Sequence, residues 1–530
     1  MHQTVDSTEQ KVNGDLAHKA LNALKWRFAG SLFNASLRLM VSIVLARILS
    51  PKEFGVVGMA LIAVGFGRIL GDLGFGVAII QRPYVTQKHK RAAFTGSLTT
   101  GLILYIVSWL LAPTISRLFE FGGLTSILRT IGVLFIFSGV STTSISLLRR
   151  ALRFQTLAGI EASSYIIGFG VIGVSMAVWG CGVWSLVAAN IAQSLCMAVL
   201  AAQFAKMPIR PYFGVQEFRE LFRIGFAEIL NNVTNYVTEN LHFFVIGKWL
   251  GASALGLYNR CFFLTSIPVN YFSKALLSVM FPVFSVIQGN ISRLGEAFLR
   301  TVSLSALITT PIFFVIAAAP KAFIGGLFGE EWTAAAGALR ILCLGGPFMS
   351  IIFIFGAVTH ALGYIFSEWK RQFFYLLVMG LAIRFLFARG IEGVALAVTL
   401  AAVARYLFLA QLAVRLAQVS WRQFFSAQIP GCLLGLSASA SVYAASIVMD
   451  VLGISDFFQM FLIVAVATLS LFLSFLLFPA SWFGGLYLWI AERFGAIIPY
   501  WLCSIITNKL SDIHNDGVNC KNAKMKERVL

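Results

Sequence analysis

Polar side chains follow one face of a long apolar stretch, residues 222–249. They are Glu228, Asn231, Asn235, Glu239 and His242, and successive members lie three, four, four and three residues apart. That spacing places all five on one side of an α-helix. Amides, carboxylates and an imidazole on one face could bind a polar ligand or carry an ion. His242 is interpreted as a satisfied buried histidine in preference to a proton carrier.

The next apolar stretch, residues 256–282, carries Arg260, Asn270 and Lys274, with Pro268 in the middle. Arg260 is near the predicted outer end of its helix, where a long side chain can also reach the interface without binding anything. The three polar residues are therefore candidates to contact an anionic or sugar ligand.

Two earlier apolar stretches each hold a polar pair four residues apart, which puts each pair on one helix face. Asn34 and Arg38 form the first pair, and Arg38 is interpreted as functional. Arg68 and Asp72 form the second pair. They fit a neutralising structural pair as well as a functional one, and Asp72, like Glu228 and Glu239, is a candidate for ion coupling.

The composition predicts an all-α integral membrane protein. Of 530 residues, 58% are hydrophobic and 12% charged, with a mean hydropathy of +0.83, whereas soluble domains have about 25% charged residues. Apolar runs of about 20 residues, long enough to cross the bilayer, recur along the chain. About fourteen spans are predicted, at 26–47, 55–80, 93–115, 125–147, 157–178, 183–204, 222–249, 256–282, 299–319, 334–361, 372–388, 391–414, 429–449 and 457–478.

Ionisable groups inside such spans need a reason to be there. Arg38, Arg68, Asp72, Glu239 and Lys274 would together cost on the order of 10 kcal/mol if they faced lipid. Pairing and water must remove most of this cost. We therefore expect spans 1, 2, 7 and 8 to surround a hydrated chamber.

The positive charges predict the orientation. The net charge is +19, but the cations are spread over short loops, as the positive-inside rule requires, and do not form a nucleic-acid patch. The N- and C-termini are thus both predicted to be cytoplasmic. Cations of the predicted cytoplasmic loops include Arg82, Lys88, Lys90, Arg91, Arg149, Arg150, Arg153, Lys206, Arg210, Arg219 and Arg223.

Patterns for catalysis or cofactors are missing from the sequence. It has no Gly-rich phosphate loop, HExxH motif or aspartate cluster, and its seven cysteines have no paired spacing. The predictions are therefore no enzymatic activity, no metal and no cofactor.

An internal repeat relates the two halves of the chain. A shift of 201 residues superimposes Asn34 on Asn235, Arg47 on Lys248, Leu49 on Leu250 and Gly55 on Gly256. Six spans separate the matched pairs, so the halves have one orientation and are related by a pseudo-two-fold axis along the membrane normal. The prediction is two six-helix bundles plus two C-terminal helices.

The repeat also superimposes Arg38 on Glu239. Opposite charges at equivalent depth could face each other across the axis. If they do, charge reversal at both positions should restore transport that either single reversal abolishes.

The predicted spans and the repeat together divide the chain into seven segments. They are an N-terminal tail 1–25, bundles at 26–204 and 222–414 joined by a linker 205–221, two further spans at 415–478, an interfacial or re-entrant segment 479–506, and a disordered cytoplasmic tail 507–530.

Several short motifs follow one another along residues 20–478. They are Ala46–Gly55 (ARILSPKEFG), Asp72–Gly76 with Gln81–Arg82, Arg149–Arg150 with Arg153–Phe154, Gly180–Leu186, Leu255–Arg260 with Pro268, Phe281–Ser285 and Gly329–Trp332. In this order they resemble the polysaccharide transporter family, the Wzx-like flippases of the superfamily that includes multidrug antiporters and lipid II flippases.

The resemblance implies that an undecaprenyl-pyrophosphate-linked oligosaccharide is moved to the outer leaflet of the bacterial inner membrane during exopolysaccharide, capsule or O-antigen assembly. It implies membrane lipids, a polysaccharide polymerase and chain-length machinery as further partners. Two alternatives compete with this interpretation. A cation-coupled multidrug exporter on the same fold would want a dominantly acidic cavity, and a membrane glycan polymerase would want a large outer loop, which the sequence lacks.

Overall fold

The computed structural model describes Gly30 and residues 33–72, 74–207 and 210–477. The predicted segments 1–25, 479–506 and 507–530 lie outside the described residues. So do the side chains of Asp72, Glu228 and Asn231, and the predictions made for them stay predictions.

The described chain is helical throughout and contains no strand. The helices are α1 (33–48), α2 (Pro51–Asp72), α3 (Phe75–Gln81), α4 (Gln87–Leu118), α5 (Leu124–Ile131), α6 (Leu134–Arg150), α7 (Phe154–Tyr165), α8 (Val174–Val178), α9 (Val183–Phe204), α10 (Val215–Trp249), α11 (Gly251–Pro268), α12 (Lys274–Ile287), α13 (Ile291–Ala318), α14 (Pro320–Phe328), α15 (Ala336–Ala361), α16 (Ile365–Leu386), α17 (Gly390–Leu416), α18 (Trp421–Ser426), α19 (Ile429–Val451) and α20 (Asp456–Leu477). Two π-helical segments, Ile166–Gly173 and Val269–Ser273, join α7 to α8 and α11 to α12.

Ten helical stretches among the described residues are long and apolar enough to cross a membrane. They cover eleven of the predicted spans, because the stretch Lys370–Leu416 contains two. The other three predicted spans are 26–47, 55–80 and 222–249. Their described residues are helical except for Gly74, whose positive φ of 71° separates α2 from α3 within the predicted span 55–80. The chain is a multi-pass membrane protein, and the count of fourteen spans stays a prediction.

Hydrogen bonds in the first turn of α2 explain why serine, proline and glutamate stand at the start of this helix. The Glu53 carboxylate accepts hydrogen bonds from the Ser50 backbone N–H at 2.7 Å and from its hydroxyl at 2.9 Å. Pro51 begins the helix, where its missing N–H costs nothing. The Ser-Pro-x-Glu pattern therefore fixes where α2 begins, and it sets the position of Gly55 one turn later.

Helices α2 and α11 cross at the two glycines that the 201-residue repeat superimposes. A Cβ at Gly55 would lie 1.6 Å from the carbonyl oxygen of Ala252, and a Cβ at Gly256 would lie 1.8 Å from that of Pro51. Ala252 is itself the repeat equivalent of Pro51. Gly55 therefore contacts Ala252, and their repeat equivalents Gly256 and Pro51 contact each other in the same way. This reciprocal pairing is what an isologous two-fold contact requires. The predicted two-fold relation between the halves is confirmed.

A buried core surrounds this crossing and joins the two halves at the predicted outer ends of their helices. The Trp332 indole N–H donates to the carbonyl oxygen of Ala46 at 2.9 Å, and its ring packs edge-on against Phe54 at 5.5 Å. Phe119 and Phe244 form a second aromatic pair across the halves, also at 5.5 Å. The two halves are therefore in contact at the predicted outer ends in this structure.

Arginines predicted to be cytoplasmic bind backbone carbonyls at the opposite end. The Arg150 guanidinium donates to the carbonyls of Ile79, in the last turn of α3, and of Arg82 and Pro83, just beyond its end. Arg91 donates to Arg210 and Pro211 at 3.1 Å each. Helix ends leave carbonyls without intrahelical partners, so these cations hold the loops as well as bias the orientation.

The start of α10 is attached to the N-terminal half. Glu220 lies 2.6 Å from Arg82 and 3.3 Å from His89, and Phe218 packs edge-on against Phe75. The hydrogen bond from Arg82 holds the pKa of the Glu220 carboxyl below its usual range. Helix α10 therefore begins on one half and continues into the other.

The two C-terminal helices pack outside the second half, α19 on α13 and α20 on α14. Serine hydroxyls link them: Ser437 lies 2.9 Å from Ser474, and Ser441 lies 3.1 Å from Ser470. Hydrogen bonds between small polar side chains commonly join neighbouring helices in a membrane. This arrangement agrees with the prediction of two helices added to a repeated bundle.

The glycine crossing gives a direct test. We expect Gly55→Ala and Gly256→Ala to force α2 and α11 apart and to reduce transport, because overpacking a close contact typically costs about 1–3 kcal/mol. The measurement is complementation of a deletion strain, with the amount of protein in the membrane as reference.

Gly380→Ala is the matched control for this test, because a Cβ at Gly380 in α16 would meet nothing within 4 Å. Equal activity of all three variants would contradict the role of the crossing.

Candidate functional site

Two predicted cations, one from each half, approach a single tyrosine. The Arg38 guanidinium of α1 lies 4.9 Å from the centre of the Tyr165 ring in α7. Arg260 of α11 also acts electrostatically on Tyr165, as does Tyr271. Phe169 stacks on the Tyr165 ring at 4.9 Å. The structure therefore brings Arg38 and Arg260 into one cluster, which we call the arginine cluster (Arg38, Arg260, Tyr165 and Tyr271).

Arg260 reaches this place because of the glycine crossing. It follows Gly256 by one turn of α11, so its side chain enters the N-terminal half where the two backbones approach most closely. There it donates to the hydroxyl of Ser42, and its guanidinium carbon lies 4.1 Å from the centre of the Phe54 ring.

The arginine cluster is rich in donors and poor in acceptors. Among the described residues, neither Arg38 nor Arg260 forms an ion pair, and the buried Nε of Arg260 has no hydrogen-bond partner. The acid on this side, Glu161 in α7, accepts from the Asn34 amide at 3.5 Å. One guanidinium group over the Tyr165 ring and a second within its electrostatic range, with no ion pair to either among the described residues, are suited to bind an anion.

The C-terminal half repeats this arrangement with different charges. Asn34 and Arg38 contact Glu161 and Tyr165 in the fifth helix of their half. In the other half Asn235 accepts from Gln372 of α16, and Glu239 acts on Tyr375 three residues further along. Arg405 of α17 lies over the Tyr375 ring at 5.2 Å. We call Asn235, Glu239, Gln372, Tyr375 and Arg405 the mirror cluster.

The structure does not pair Arg38 with Glu239. Arg38 contacts Tyr165 of α7 in its own half, Glu239 lies within electrostatic range of Tyr375 of α16 in the other half, and no ion pair joins the two among the described residues. The sequence repeat superimposed them correctly, but equivalent positions need not be in contact. The prediction that double charge reversal restores transport gains no support from a direct contact in this state.

Arg68 lies apart from the arginine cluster, inside the N-terminal half. It lines a cavity of about 150 Å³ together with Asn190, Gln193 and Ser194 of α9. The nearby Tyr236 hydroxyl donates to the carbonyl of Ile62 at 2.7 Å. Since the Asp72 side chain lies outside the described residues, the predicted Arg68–Asp72 pair stays a prediction.

No hydrogen bond or ion pair joins the described side chains of Asn270 and Lys274 to Arg38 or Arg260. Both are exposed, on the π-helical segment and at the start of α12, and the Lys274 ammonium lies 5.6 Å from the centre of the Phe353 ring. Pro268 just before the segment lacks the N–H of a regular helix, which explains the local widening. Their assignment to the substrate site stays a prediction.

His242 is buried, with 2% of its surface exposed. Its ring lies 5.0 Å from that of Phe262 and 5.6 Å from that of Tyr258. Among the described residues, neither ring nitrogen has a hydrogen-bond partner. Burial agrees with the sequence interpretation, but the expected hydrogen bond is not found there.

Several members of these clusters were not predicted from the sequence. Glu161, Tyr165, Tyr271, Gln372 and Tyr375 all lie in predicted spans or at their ends. Glu161 had a signal, since it is a lone carboxylate within an apolar run and Tyr165 follows it by one turn. For the others only the packing of α7 against α1, and of α16 against α10, reveals the contact.

The family model described as "Polysaccharide biosynthesis protein" matches residues 44–337, more than half of the 530 residues. The chain belongs to this family. The matched region includes Arg260, Tyr165 and both crossing glycines, so the signature around Ser50–Gly55 and Leu255–Arg260 has a structural explanation: it builds the two-fold contact and places one arginine.

Three curated relatives are each about a quarter identical in sequence to this chain over the matched region. The teichuronic acid biosynthesis protein TuaB of Bacillus subtilis is 24% identical over 349 residues, 66% of this chain and 72% of its own. The lipopolysaccharide biosynthesis protein WzxC of Escherichia coli is 24% identical over 63% of this chain and 68% of its own. The succinoglycan biosynthesis transport protein ExoT of Rhizobium meliloti is 27% identical over 57% and 61%.

Solved structures show the same fold. The lipid II flippase MurJ in an inward closed conformation superimposes with a TM-score of 0.69 at 16% identity, covering 84% of this chain and 97% of that one. An inward-facing multidrug resistance MATE family transporter of the MOP superfamily gives 0.55 at 18% identity, covering 73% and 96%. At this identity the likeness concerns the fold alone.

The arginine cluster predicts that transport needs the guanidinium geometry of Arg38 as well as its positive charge. Arg38→Gln should abolish transport, and Arg38→Lys should retain only a small part of it, because an ammonium cannot make the paired hydrogen bonds of a guanidinium. The loss should be about tenfold or more, the usual weight of one charge-assisted hydrogen bond. The assay is the rate of surface glycan production in a complemented deletion strain.

Arg340→Lys is the control for this substitution. Arg340 is also an arginine on a helix of the membrane region, but among the described residues its hydrogen bond goes to the backbone carbonyl of Ala317, at 3.2 Å. If Arg38→Lys were as active as Arg340→Lys, a paired hydrogen bond from Arg38 to the substrate would be ruled out.

Proposed function

We propose that this protein is a flippase that moves undecaprenyl-pyrophosphate-linked oligosaccharide units from the inner to the outer leaflet by alternating access. The units would serve exopolysaccharide, capsule or O-antigen biosynthesis. The observation that carries the proposal is the arginine cluster, in which Arg38 lies over the Tyr165 ring and Arg260, from the other half, lies within electrostatic range of the same tyrosine.

The chemistry of the arginine cluster fits a pyrophosphate. A guanidinium presents a planar fork of donors to phosphate oxygens, and two guanidinium groups can hold the two phosphates of one headgroup. The amides and carboxylates of the mirror cluster suit sugar hydroxyls, which both donate and accept. The lipid tail would stay in the bilayer between the two halves.

The proposed substrate site keeps all the predicted residues. The pyrophosphate and sugar contacts are Asn34, Arg38, Arg68, Asn231, Asn235, Arg260, Asn270 and Lys274. Asp72, Glu228, Glu239 and His242 are the proposed coupling or charge-pairing groups. None of these proposals requires an enzymatic step or a cofactor.

The membrane potential favours the proposed direction. Moving two negative charges outward is worth about 4–5 kcal/mol at 100 mV, since each charge contributes about 2.3 kcal/mol. The empty carrier is cationic at the arginine cluster, so the same field favours its return. Alternating access would separate the outer ends at the glycine crossing and close the opposite ends.

The names of the relatives support this function. TuaB and WzxC are named for the biosynthesis of teichuronic acid and lipopolysaccharide, ExoT for succinoglycan transport, and MurJ for flipping lipid II. Each name concerns a cell-surface glycan or its lipid-linked precursor. We place the protein in the bacterial inner membrane with both termini cytoplasmic, in contact with membrane lipids and with polymerase and chain-length machinery as partners.

Deletion of the gene tests the proposal. The surface polysaccharide should be lost, and lipid-linked intermediates should accumulate on the cytoplasmic side, where an impermeant glycan-labelling reagent cannot reach them. The measurement is labelling of intact cells compared with lysed cells. Restoration by the wild-type gene, but not by the Arg38→Gln, Arg260→Gln double variant, assigns the effect to the arginine cluster.

Unchanged glycans together with altered sensitivity to cationic drugs would instead identify a multidrug exporter. Intermediates that accumulate on the outer side would point to a defect in polymerisation.

A further inference from the structure

A second group of ionisable side chains lies in the C-terminal half, at the end of α15 and the start of α16. The His360 Nε2 lies 3.1 Å from an Oε2 oxygen of Glu368, and the Thr359 hydroxyl donates to the same oxygen at 2.7 Å. Glu368 has 18% of its side chain exposed and His360 has 44%. The carboxylate is thus mostly covered by protein, while the imidazole is open to its surroundings.

The charges that face this pair come from a few elements. Arg405 of α17 acts on Glu368, and within α16 Arg371 donates to the carbonyls of Phe408 and Ser367, away from the carboxylate. Lys370 is exposed, Glu239 of α10 acts on Tyr375, and Lys274 of α12 lies over Phe353. Among the described residues, His360 and Arg405 are therefore the charged partners of Glu368.

This arrangement gives the group two charge states that differ by one proton. With a neutral His360, the Glu368 carboxylate and the Arg405 guanidinium cancel. With a protonated His360 the group carries one positive charge, and the imidazolium donates its Nε2–H to Glu368. Histidine is the side chain that ordinarily changes charge near neutral pH.

The pair is linked to the mirror cluster by one hydrogen bond, one cation–π contact and the electrostatic influence of Arg405. Arg405 acts on Glu368 and also lies over the Tyr375 ring, on which Glu239 acts in turn. Gln372, one turn after Glu368, donates to Asn235. A change of charge at His360 therefore reaches the wall that the C-terminal half presents to the proposed substrate.

We propose that His360 and Glu368 form a proton-binding site whose occupancy is linked to the binding of the anionic substrate. The proton comes from the aqueous phase and adds to the free imidazole nitrogen, and no other bond changes. A protonated His360 strengthens binding of a pyrophosphate, and bound pyrophosphate strengthens binding of the proton, because linkage is reciprocal. This inference rests on the proposed function.

The test is binding of undecaprenyl pyrophosphate to the full-length protein in nanodiscs, measured by calorimetry at about pH 6 and about pH 8. In the wild type, binding should be on the order of fivefold tighter at the lower pH, the lower end of ordinary coupling between two sites. Runs in buffers of different ionisation enthalpy should show proton uptake on binding. Uncharged undecaprenol should show neither effect.

Two substitutions fix the charge in opposite states. His360→Gln should bind weakly and His360→Lys tightly, each with only the pH dependence that the phosphates of the probe themselves contribute. Glu368→Gln should also remove the proton uptake, and it provides a second variant if a change at His360 prevents folding. His89→Gln is the matched control, because His89 is the other described histidine with a carboxylate partner, and this variant should behave as the wild type.

The outcomes separate this inference from the proposed function. Binding that is lost in Arg38→Gln but is equally pH-dependent in wild type and His360→Gln would overturn the proton site alone. Absence of pyrophosphate binding in the wild type at both pH values would overturn the flippase proposal and the proton site together.

Discussion

The contact between Gly55 and Gly256 is the constraint on which the rest of the structure depends. Each glycine lies against a backbone carbonyl of the other helix at a distance that leaves no room for a Cβ. Backbones that approach so closely fix both the separation and the crossing of α2 and α11. The positions of Arg260, Phe54 and Trp332 follow from it, since all three lie within about a turn of the crossing or pack directly around it.

Aromatic rings and a hydroxyl explain how the two arginines are tolerated within the membrane region. An isolated arginine at mid-bilayer would be costly. Arg38 covers its guanidinium with the Tyr165 ring, and Arg260 uses the Phe54 ring and the Ser42 hydroxyl. Aromatic faces and hydroxyls stabilise a cation without neutralising it. The arginines therefore remain cationic and available to an anion, which a carboxylate partner would prevent.

The sequence was sufficient for the fold because its signals are strong and local. Apolar runs, loop cations and the 201-residue repeat predicted helices, two halves and the two-fold relation. The pattern Ser50–Pro51–Glu53–Gly55 could be recognised as a signature, but only the structure shows that the glycine serves a backbone contact with Ala252. The short helices α14 and α18 lie in stretches that were interpreted as connections, since they are too short to give a hydropathy signal.

The candidate site could be predicted only in part, for a physical reason. Periodicity shows which residues of one helix share a face, so Asn34 with Arg38 and Asn235 with Glu239 were within reach. It does not show which residue of another helix that face meets. Glu161 and Tyr165 on one side, and Gln372 and Tyr375 on the other, are set by helix packing. The repeat shows that Arg38 and Glu239 are equivalent positions, but it does not show whether their charges are in contact, and no ion pair joins them among the described residues.

The two halves share a backbone arrangement but differ in charge, and this difference is what a directional carrier needs. At equivalent places the N-terminal half presents Arg38 against Tyr165, and the C-terminal half presents Glu239 beside Tyr375 and Arg405. A fully symmetric cavity would attract either end of a ligand equally. With cations on one wall and mixed charges on the other, the proposed substrate would be directed with its anionic headgroup to the arginine cluster and its neutral glycan to the amides opposite. In this proposal symmetry supplies two similar conformational states, and the asymmetric charges orient a substrate that is anionic at one end and polar at the other.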